Sequence, residues 1–315
     1  MLVTGATGLL GSEIIREEPS SIGLSSKDCN LLSNHPGDAF KYEISRLRKE
    51  ENADIRTVVH CAARVGGIKA NSDYIAKFFD DNVRMNMNVL NGCKEKDCKL
   101  VSVLSTCIYP DAAYVKYPLT ENQLHMGPPH ESNFGYAYAK RMLDVQARAY
   151  RRQWGCNFVN VIPNNLYGLN DNYDLESGHV IPSLIRRFYE AKLEKKSSVV
   201  LWGTGKPLRE FTFARDAAKI ICWISKNYDG GDPVNIGCTK EISIKDLSDI
   251  IREFVGFDGE VIWDSSKPDG QFRKPTSNRK LRELGWKEDY TSLEDGLRET
   301  VQYFKDNYPN LRGVR

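Results

Sequence analysis

Leu2-Val3-Thr4-Gly5-Ala6-Thr7-Gly8-Leu9-Leu10-Gly11 opens the chain, and its reading decides the fold. A short apolar run at 2–4 breaks at glycines spaced Gly5-x-x-Gly8-x-x-Gly11, and Ser12-Glu13-Ile14-Ile15 begins a helical pattern directly behind them. A strand, a glycine turn and a helix in this order present free helix N–H groups and the positive end of the helix dipole at one point. The glycines let a phosphate approach the backbone there. Gly5, Thr7, Gly8, Leu9, Leu10 and Gly11 are therefore candidate contacts to a dinucleotide, with a purely structural turn as the alternative. A second strand is expected to end near Gly23-Leu24-Ser25-Ser26-Lys27, where an acidic residue would hold the ribose 2′-hydroxyl of NAD. The hydroxyl of Ser26 and the ammonium of Lys27 suit a 2′-phosphate instead. NADP(H) is thus expected over NAD, although Asp28 follows immediately.

Working outward, short buried-strand candidates recur at Thr57–His60, Lys99–Leu104, Asn157–Ile162 and Ser197–Leu201. Helical patterns near 35–50, over most of 71–96 and from about 133 to 153 lie between them. The alternation predicts an α/β fold with a doubly wound, parallel Rossmann-type sheet. After residue 165 the pattern loosens into a loop rich in Asn, Asp and Gly (164–178), a helix near 180–194, and short elements to the end. The expected division is a cofactor domain over 1–165 and a smaller C-terminal α/β substrate-binding lid over 166–315, with an interleaved boundary.

The 315 residues suffice for a sizeable core, and 41% hydrophobic with 27% charged residues is an ordinary globular composition. Lys+Arg of 44 against Asp+Glu of 42 leaves a net charge of +2, which argues against a dominant nucleic-acid or membrane surface. An anionic ligand must then be met by local cations. The eight cysteines form no Cys-x-x-Cys pair, so neither a metal site nor a disulfide framework is expected. With the glycine turn at the start no signal peptide is expected, and no apolar run reaches about 18 residues. A cytoplasmic location is the expectation.

The chemistry-bearing residues lie further along. Tyr136 and Lys140 in Phe134-Gly135-Tyr136-Ala137-Tyr138-Ala139-Lys140 are four apart on a predicted helix and share a face, where an ammonium favours ionisation of a phenol. Such a tyrosine can exchange a proton with a substrate oxygen. The strand at 99–104 runs into Ser105-Thr106-Cys107-Ile108-Tyr109-Pro110, so Ser105 reaches the C-terminal sheet edge, where open α/β folds bind ligands. Ser105, Tyr136 and Lys140 then read as a carbonyl-reductase triad. Cys107 is either a small buried hydrophobe or a thiol base able to take a proton from carbon beside a ketone. His179 in Gly178-His179-Val180-Ile181-Pro182 is either a helix-start residue or the acid opposite that base.

Seven ordered segments carry a resemblance. Ala62-Ala63-Arg64-Val65-Gly66-Gly67-Ile68, Ser105–Pro110, Tyr136–Lys140, Pro163-Asn164-Asn165-Leu166-Tyr167-Gly168, Gly178–Pro182, Trp202-Gly203-Thr204-Gly205 and Lys267-Pro268-Asp269-Gly270 together resemble the GDP-L-fucose synthase family, extended short-chain dehydrogenases/reductases whose glycine spacing also matches. The resemblance covers nearly the whole chain. It implies conversion of GDP-4-keto-6-deoxy-D-mannose to GDP-L-fucose by C3 and C5 epimerisation and NADPH-dependent reduction at C4. In that scheme Cys107 is the base, His179 the acid, Tyr136 the proton donor to the C4 oxygen, Lys140 its partner and a cofactor contact, and Ser105 the group that orients the carbonyl. Ala62, Ala63, Pro163, Leu166 and His179 join the cofactor set. Asn165, Val180, Arg187, Trp202, Arg209 and Lys274 form the substrate set. The cations suit a diphosphate and Trp202 suits stacking on guanine. The resemblance also implies a homodimer through the helices near 71–96 and 133–153. Two departures stand out: Met1 directly abuts the first strand, and Leu169-Asn170 replaces a Pro-His pair found in many relatives.

The nearest rival is a nucleotide-sugar 4-epimerase or 4,6-dehydratase using tightly held NAD. A dehydratase places an Asp-Glu pair after the strand serine or threonine, where this chain has Thr106-Cys107. A non-catalytic dinucleotide-binding protein is the reading from a different class, and it gives no reason for Ser105, Cys107, Tyr136, Lys140 and His179 to occur together.

Overall fold

The glycine turn forms because no other residue fits it. A Cβ on Gly5, whose φ is +68°, would lie 2.8 Å from the Ala62 nitrogen, and one on Gly11 would lie 2.2 Å from the Gly5 carbonyl oxygen. The computed structural model that shows this describes residues 1–33, 38–267 and 269–314.

In chain order the elements are β1 (Leu2–Thr4), α1 (Leu9–Glu17), β2 (Ile22–Leu24), α2 (Asp38–Glu50), β3 (Thr57–His60), α3 (Ile68–Asp73), α4 (Ile75–Glu95), β4 (Lys99–Val103), α5 (Phe134–Trp154), β5 (Phe158–Pro163) and β6 (Asn165–Tyr167). They continue as α6 (Val180–Leu193), β7 (Ser198–Trp202), β8 (Leu208–Phe213), α7 (Ala214–Asn227), β9 (Val234–Ile236), β10 (Glu241–Ser243), α8 (Ile244–Val255), β11 (Glu260–Asp264), α9 (Arg279–Glu283) and α10 (Leu293–Asn307). Among the described residues a six-stranded sheet has the order β2-β1-β3-β4-β5-β9, with every pairing parallel.

Side chains alternate across this sheet. Leu2, Val58, Leu100 and Phe158 pack on one face with Phe40 and Ile44 of α2, Val89 of α4 and Leu143 of α5. Val3, Val59, Val101 and Val159 pack on the other with Leu10 and Ile14 of α1 and Ala217 and Ile221 of α7. Both faces are covered, which is why the strands read as continuous apolar runs. The strand order reverses between β1 and β3, and a crevice opens beyond the strand ends at that point, against Gly5 and Ala62.

Three elements differ from the sequence reading. The run at 197–201 is a strand, β7, but it pairs with β11 in a separate parallel ribbon rather than joining the large sheet. The sixth strand is instead β9, whose Val234 and Ile236 are fully buried and contribute roughly 1.5–3 kcal/mol each. The helix expected over most of 71–96 is α4 (Ile75–Glu95), and a short helix that the pattern did not suggest, α3, precedes it, with Tyr74 (φ −124°, ψ 40°) between the two. The helix near 35–50 starts at Asp38 among the described residues; 35–37 and Pro268 of the Lys267–Gly270 motif lie outside them.

The second lobe consists of a three-stranded sheet β10-β8-β6, the β7–β11 ribbon, and α6, α8 and α10 around a core that includes Tyr173, Phe188, Phe213 and Phe304. No helix among the described residues is long and apolar enough to cross a membrane.

Candidate active site

A cavity of about 1380 Å³ runs from the glycine turn to the second lobe. At one end is the N-terminus of α1, which begins at Gly8 with no side-chain cap and no acidic residue in its first turn. Its N–H groups and dipole therefore face the cavity without a protein partner of opposite charge. Together with the close-packed glycines this is a cradle of the shape a dinucleotide diphosphate needs.

Ser26, Ala62 and Ala63 line the same end, and Pro163, Asn165 and Leu166 form the wall beyond β5. Lys27 is the exception among the expected contacts. It does not line the cavity, because the turn is organised by Asp28, whose carboxylate accepts from the Ser25 nitrogen (2.7 Å) and hydroxyl (2.6 Å). That leaves Lys27 exposed just outside the rim, with its backbone nitrogen donating to Ser25 Oγ.

The reactive centre sits where β4 ends. Ser105 caps a short 3₁₀ turn at Thr106–Ile108, its hydroxyl accepting from the Cys107 nitrogen at 3.3 Å. Tyr136, on the first turn of α5, lies beside this side chain, and one turn later comes Lys140. Lys140 is 2% exposed, and its Nζ donates to the Val103 carbonyl at 2.8 Å. Burial pushes its pKa down to about 8, with Cys61 acting slightly the other way. Beneath it His60 is held neutral, its pKa pushed down to about 3 by burial and by the Lys140 charge.

For Tyr136 the structure reverses the direction drawn from helix spacing. Desolvation raises the phenol pKa, the neighbouring Cys107 raises it further, and the Ser105 hydroxyl beside it only partly offsets them. The Lys140 ammonium is turned to a backbone oxygen, so Tyr136 stays protonated. This is the state a reduction requires, since the proton leaves only when negative charge develops on the substrate oxygen.

Cys107 is half-buried and lines the cavity, and Lys274 Nζ lies 3.5 Å from its sulfur. The thiolate that a base must start from would face an ammonium directly. Across the cavity His179 is the N-cap of α6, with its side chain 46% exposed and Nδ1 4.0 Å from Asp171 Oδ1. Asp171 is buried, and desolvation raises its pKa while His179 and Arg312 lower it. Sequence reasoning did not single out Asp171, since an acidic residue in an Asn- and Asp-rich loop looks like any solvated loop residue until the fold buries it.

The remaining expected residues converge on the second lobe. Val180 opens α6 and Arg187 follows two turns later, with its pKa lowered by burial. Trp202 ends β7, is 56% exposed and lines the cavity. Arg209 on β8 is half-buried, its Nη1 donating to the Leu208 carbonyl at 2.7 Å; burial lowers its pKa, while Cys107 and Asp269 act against that. Asn165 donates to the Glu210 carbonyl at 2.7 Å, leaving its own amide oxygen available. Asp269, also missed, anchors the turn behind Trp202 by accepting from the Thr204 nitrogen and hydroxyl at 2.7 and 2.8 Å.

The NAD dependent epimerase/dehydratase family model matches residues 1–237. GDP-L-fucose synthase of Dictyostelium discoideum is 42% identical over 322 aligned residues, covering 99% of this chain and 97% of its own. The chain belongs to the GDP-L-fucose synthase family. A bacterial member of that family, from Sinorhizobium fredii, is 38% identical over 310 residues, covering 97% and 95% of the two chains. The crystal structure of a GDP-L-fucose synthetase from Naegleria fowleri bound to NADP superposes with a TM-score of 0.87 at 39% identity, covering 99% of this chain and 94% of the other. The family resemblance seen in seven sequence segments is thus borne out, as is the Rossmann-type α/β fold.

Proposed function

We propose that this chain converts GDP-4-keto-6-deoxy-D-mannose to GDP-L-fucose, epimerising C3 and C5 and reducing C4 with NADPH in the one cavity. The observation that carries this reading is the presence in one cavity of two chemistries: a Ser105–Tyr136–Lys140 reductase set, and Cys107 beside the Lys274 ammonium with His179 lining the same cavity. A reductase alone has no use for the second set.

The C4 ketone of the sugar acidifies the C–H bonds at C3 and C5. Cys107, as the thiolate, takes the proton from one face and becomes a thiol, the C–H electron pair passes to the C4 oxygen as an enolate, and Ser105 and Tyr136 hydrogen-bond that oxygen. His179 returns a proton from the opposite face, inverting the centre, with the Asp171 carboxylate 4.0 Å from its ring. NADPH, when bound, supplies the hydride that C4 accepts. Tyr136 then gives its proton to the C4 oxygen, with Lys140 close by to offset the phenolate charge. The glycine turn, Ser26, Ala62 and Ala63 would hold the cofactor, and Lys140 would reach its ribose.

A GDP-sugar substrate is consistent with Trp202 as a platform for guanine and with Arg187 and Arg209, half-buried guanidiniums suited to a diphosphate. Most of 166–315 serves the substrate, while 1–165 with α7 and β9 serves the cofactor. The exposed apolar side chains of α4 and α5, including Met87, Met142 and Val145, support dimerisation through this helix pair. Incubating purified protein with NADPH and the keto sugar tests the assignment. Cofactor oxidation with a product that co-elutes with GDP-L-fucose is expected. Oxidation yielding the unepimerised 6-deoxy sugar nucleotide would remove the epimerase half.

A further inference from the structure

The glycine turn lacks a cation of its own. Residues 1–13 contain no Lys or Arg, and the first, Arg16, lies in the last turn of α1 with Nη1 on Glu13 at 2.8 Å. The other cavity cations are committed elsewhere: Lys69 bridges Asp73 and Glu176 at 3.2 Å each, Lys140 is on Val103, and Arg187, Arg209 and Lys274 belong to the second-lobe end. A bound diphosphate at Gly8 would otherwise have backbone N–H groups and a helix dipole alone.

Arg312 is the remaining cation. It lines the cavity from the C-terminal tail, and its Nη1 lies 3.9 Å from the point a Cβ on Gly8 would occupy. Among the described residues no hydrogen bond or ion pair engages its guanidinium, although its charge acts on the buried Asp171 carboxylate. The tail that delivers it is well anchored. The Tyr173 nitrogen donates to the Arg312 carbonyl at 2.9 Å, and Arg186 Nη1 donates to the Gly313 carbonyl at 2.8 Å. Gly313 adopts φ +84°, and a Cβ there would fall 2.3 Å from Asn172 Oδ1. Leu311 and Val314 pack on the second-lobe core.

We propose that Arg312 binds the diphosphate of the nicotinamide cofactor, closing the glycine turn from the far end of the chain. Because the tail is stitched to the loop of Asp171 and Tyr173, the same contact ties the segment carrying His179 to the bound cofactor. The proposal rests on the cofactor reading above, and guanidinium forks suit paired phosphate oxygens.

The test is Arg312→Met, which keeps most of the side-chain stem, with NADPH, NADH and GDP affinities measured by ligand-dependent fluorescence on the folded protein. A charge-assisted contact of this kind predicts about a 10-fold weaker affinity for NADPH and for NADH alike. GDP affinity should be unchanged and Arg312→Lys should recover part of the loss. Unaltered NADPH affinity would overturn the proposal. So would a loss confined to NADPH, which would place the guanidinium at the 2′-phosphate, or an equal loss for GDP, which would mean the tail is merely structural. Wild-type protein binding neither dinucleotide would sink the cofactor reading itself, and the proposal with it.

Discussion

Lys140 offers a quantitative handle on the cofactor site. Its ammonium is 2% exposed and titrates near 8 in the free protein, against an ordinary value of 10.5. The sign follows from the direction: a depressed lysine pKa means the fold disfavours its charge, so the free protein sheds this proton as pH rises through 8. A polyanionic ligand with ribose hydroxyls at that site favours the charged form and returns the pKa toward its ordinary value. NADPH binding should then take up about 0.1 proton at pH 7, 0.5 at pH 8 and 0.9 at pH 9. Affinity should weaken by about tenfold between pH 7 and pH 9. The 2′-phosphate does not confuse the measurement, because its second ionisation, near pH 6, is largely complete by pH 7. Isothermal titration at pH 8 in buffers of different ionisation enthalpy gives the proton count directly, with Lys140→Met as the comparator. If the heat is independent of buffer, or if Lys140→Met shows the same pH dependence as wild type, the burial of an ionisable Lys140 at the cofactor site is wrong.

Four substitutions test the rest of the arrangement. Tyr136→Phe should lower C4 reduction by at least about 10²-fold, the usual weight of a positioned proton donor, while solvent exchange of the C3 and C5 hydrogens continues. Cys107→Ser should do the reverse, and wild-type exchange in that variant would remove Cys107 as the base. Gly11→Ala drives a Cβ against the Gly5 carbonyl, so thermal unfolding should show a loss of about 1–3 kcal/mol together with loss of NADPH binding. Retained binding would mean the turn is not the cradle. Lys27→Ala should weaken NADPH by a few-fold and leave NADH untouched; equal effects on both would mean that Lys27, exposed outside the rim, plays no part in recognising the 2′-phosphate.

The sheet was legible wherever local pattern and tertiary role agree. Thr57–His60 and Lys99–Leu104 are short apolar runs between helices and became β3 and β4 within a residue. Residues 197–201 have the same local signature, yet β7 lies in another sheet, because pairing partners far along the chain, here β11, leave no mark on a five-residue window. The β9 strand was invisible for the opposite reason: three residues after a Gly-Asp-Pro loop acquire strand character only from the β5 edge they complete. At the site, every expected site residue except Lys27 lines the cavity. What could not be read was electrostatics. Four-residue spacing puts Tyr136 and Lys140 on one face, but whether the ammonium points at the phenol or at Val103 is decided by β4 packing against α5. Asp171 and Arg312 likewise gain meaning only through burial or through the tail folding back.

The central claim is that one cavity epimerises and reduces around a single ketone, and running the full reaction in D₂O with unlabelled NADPH tests it most directly. NMR of the product should show deuterium at C3 and C5 and protium at C4, the pattern of two solvent-exchanging proton transfers and one hydride delivery. A reduced product with no deuterium at either carbon would contradict the account, leaving Cys107 and His179 without the roles assigned to them.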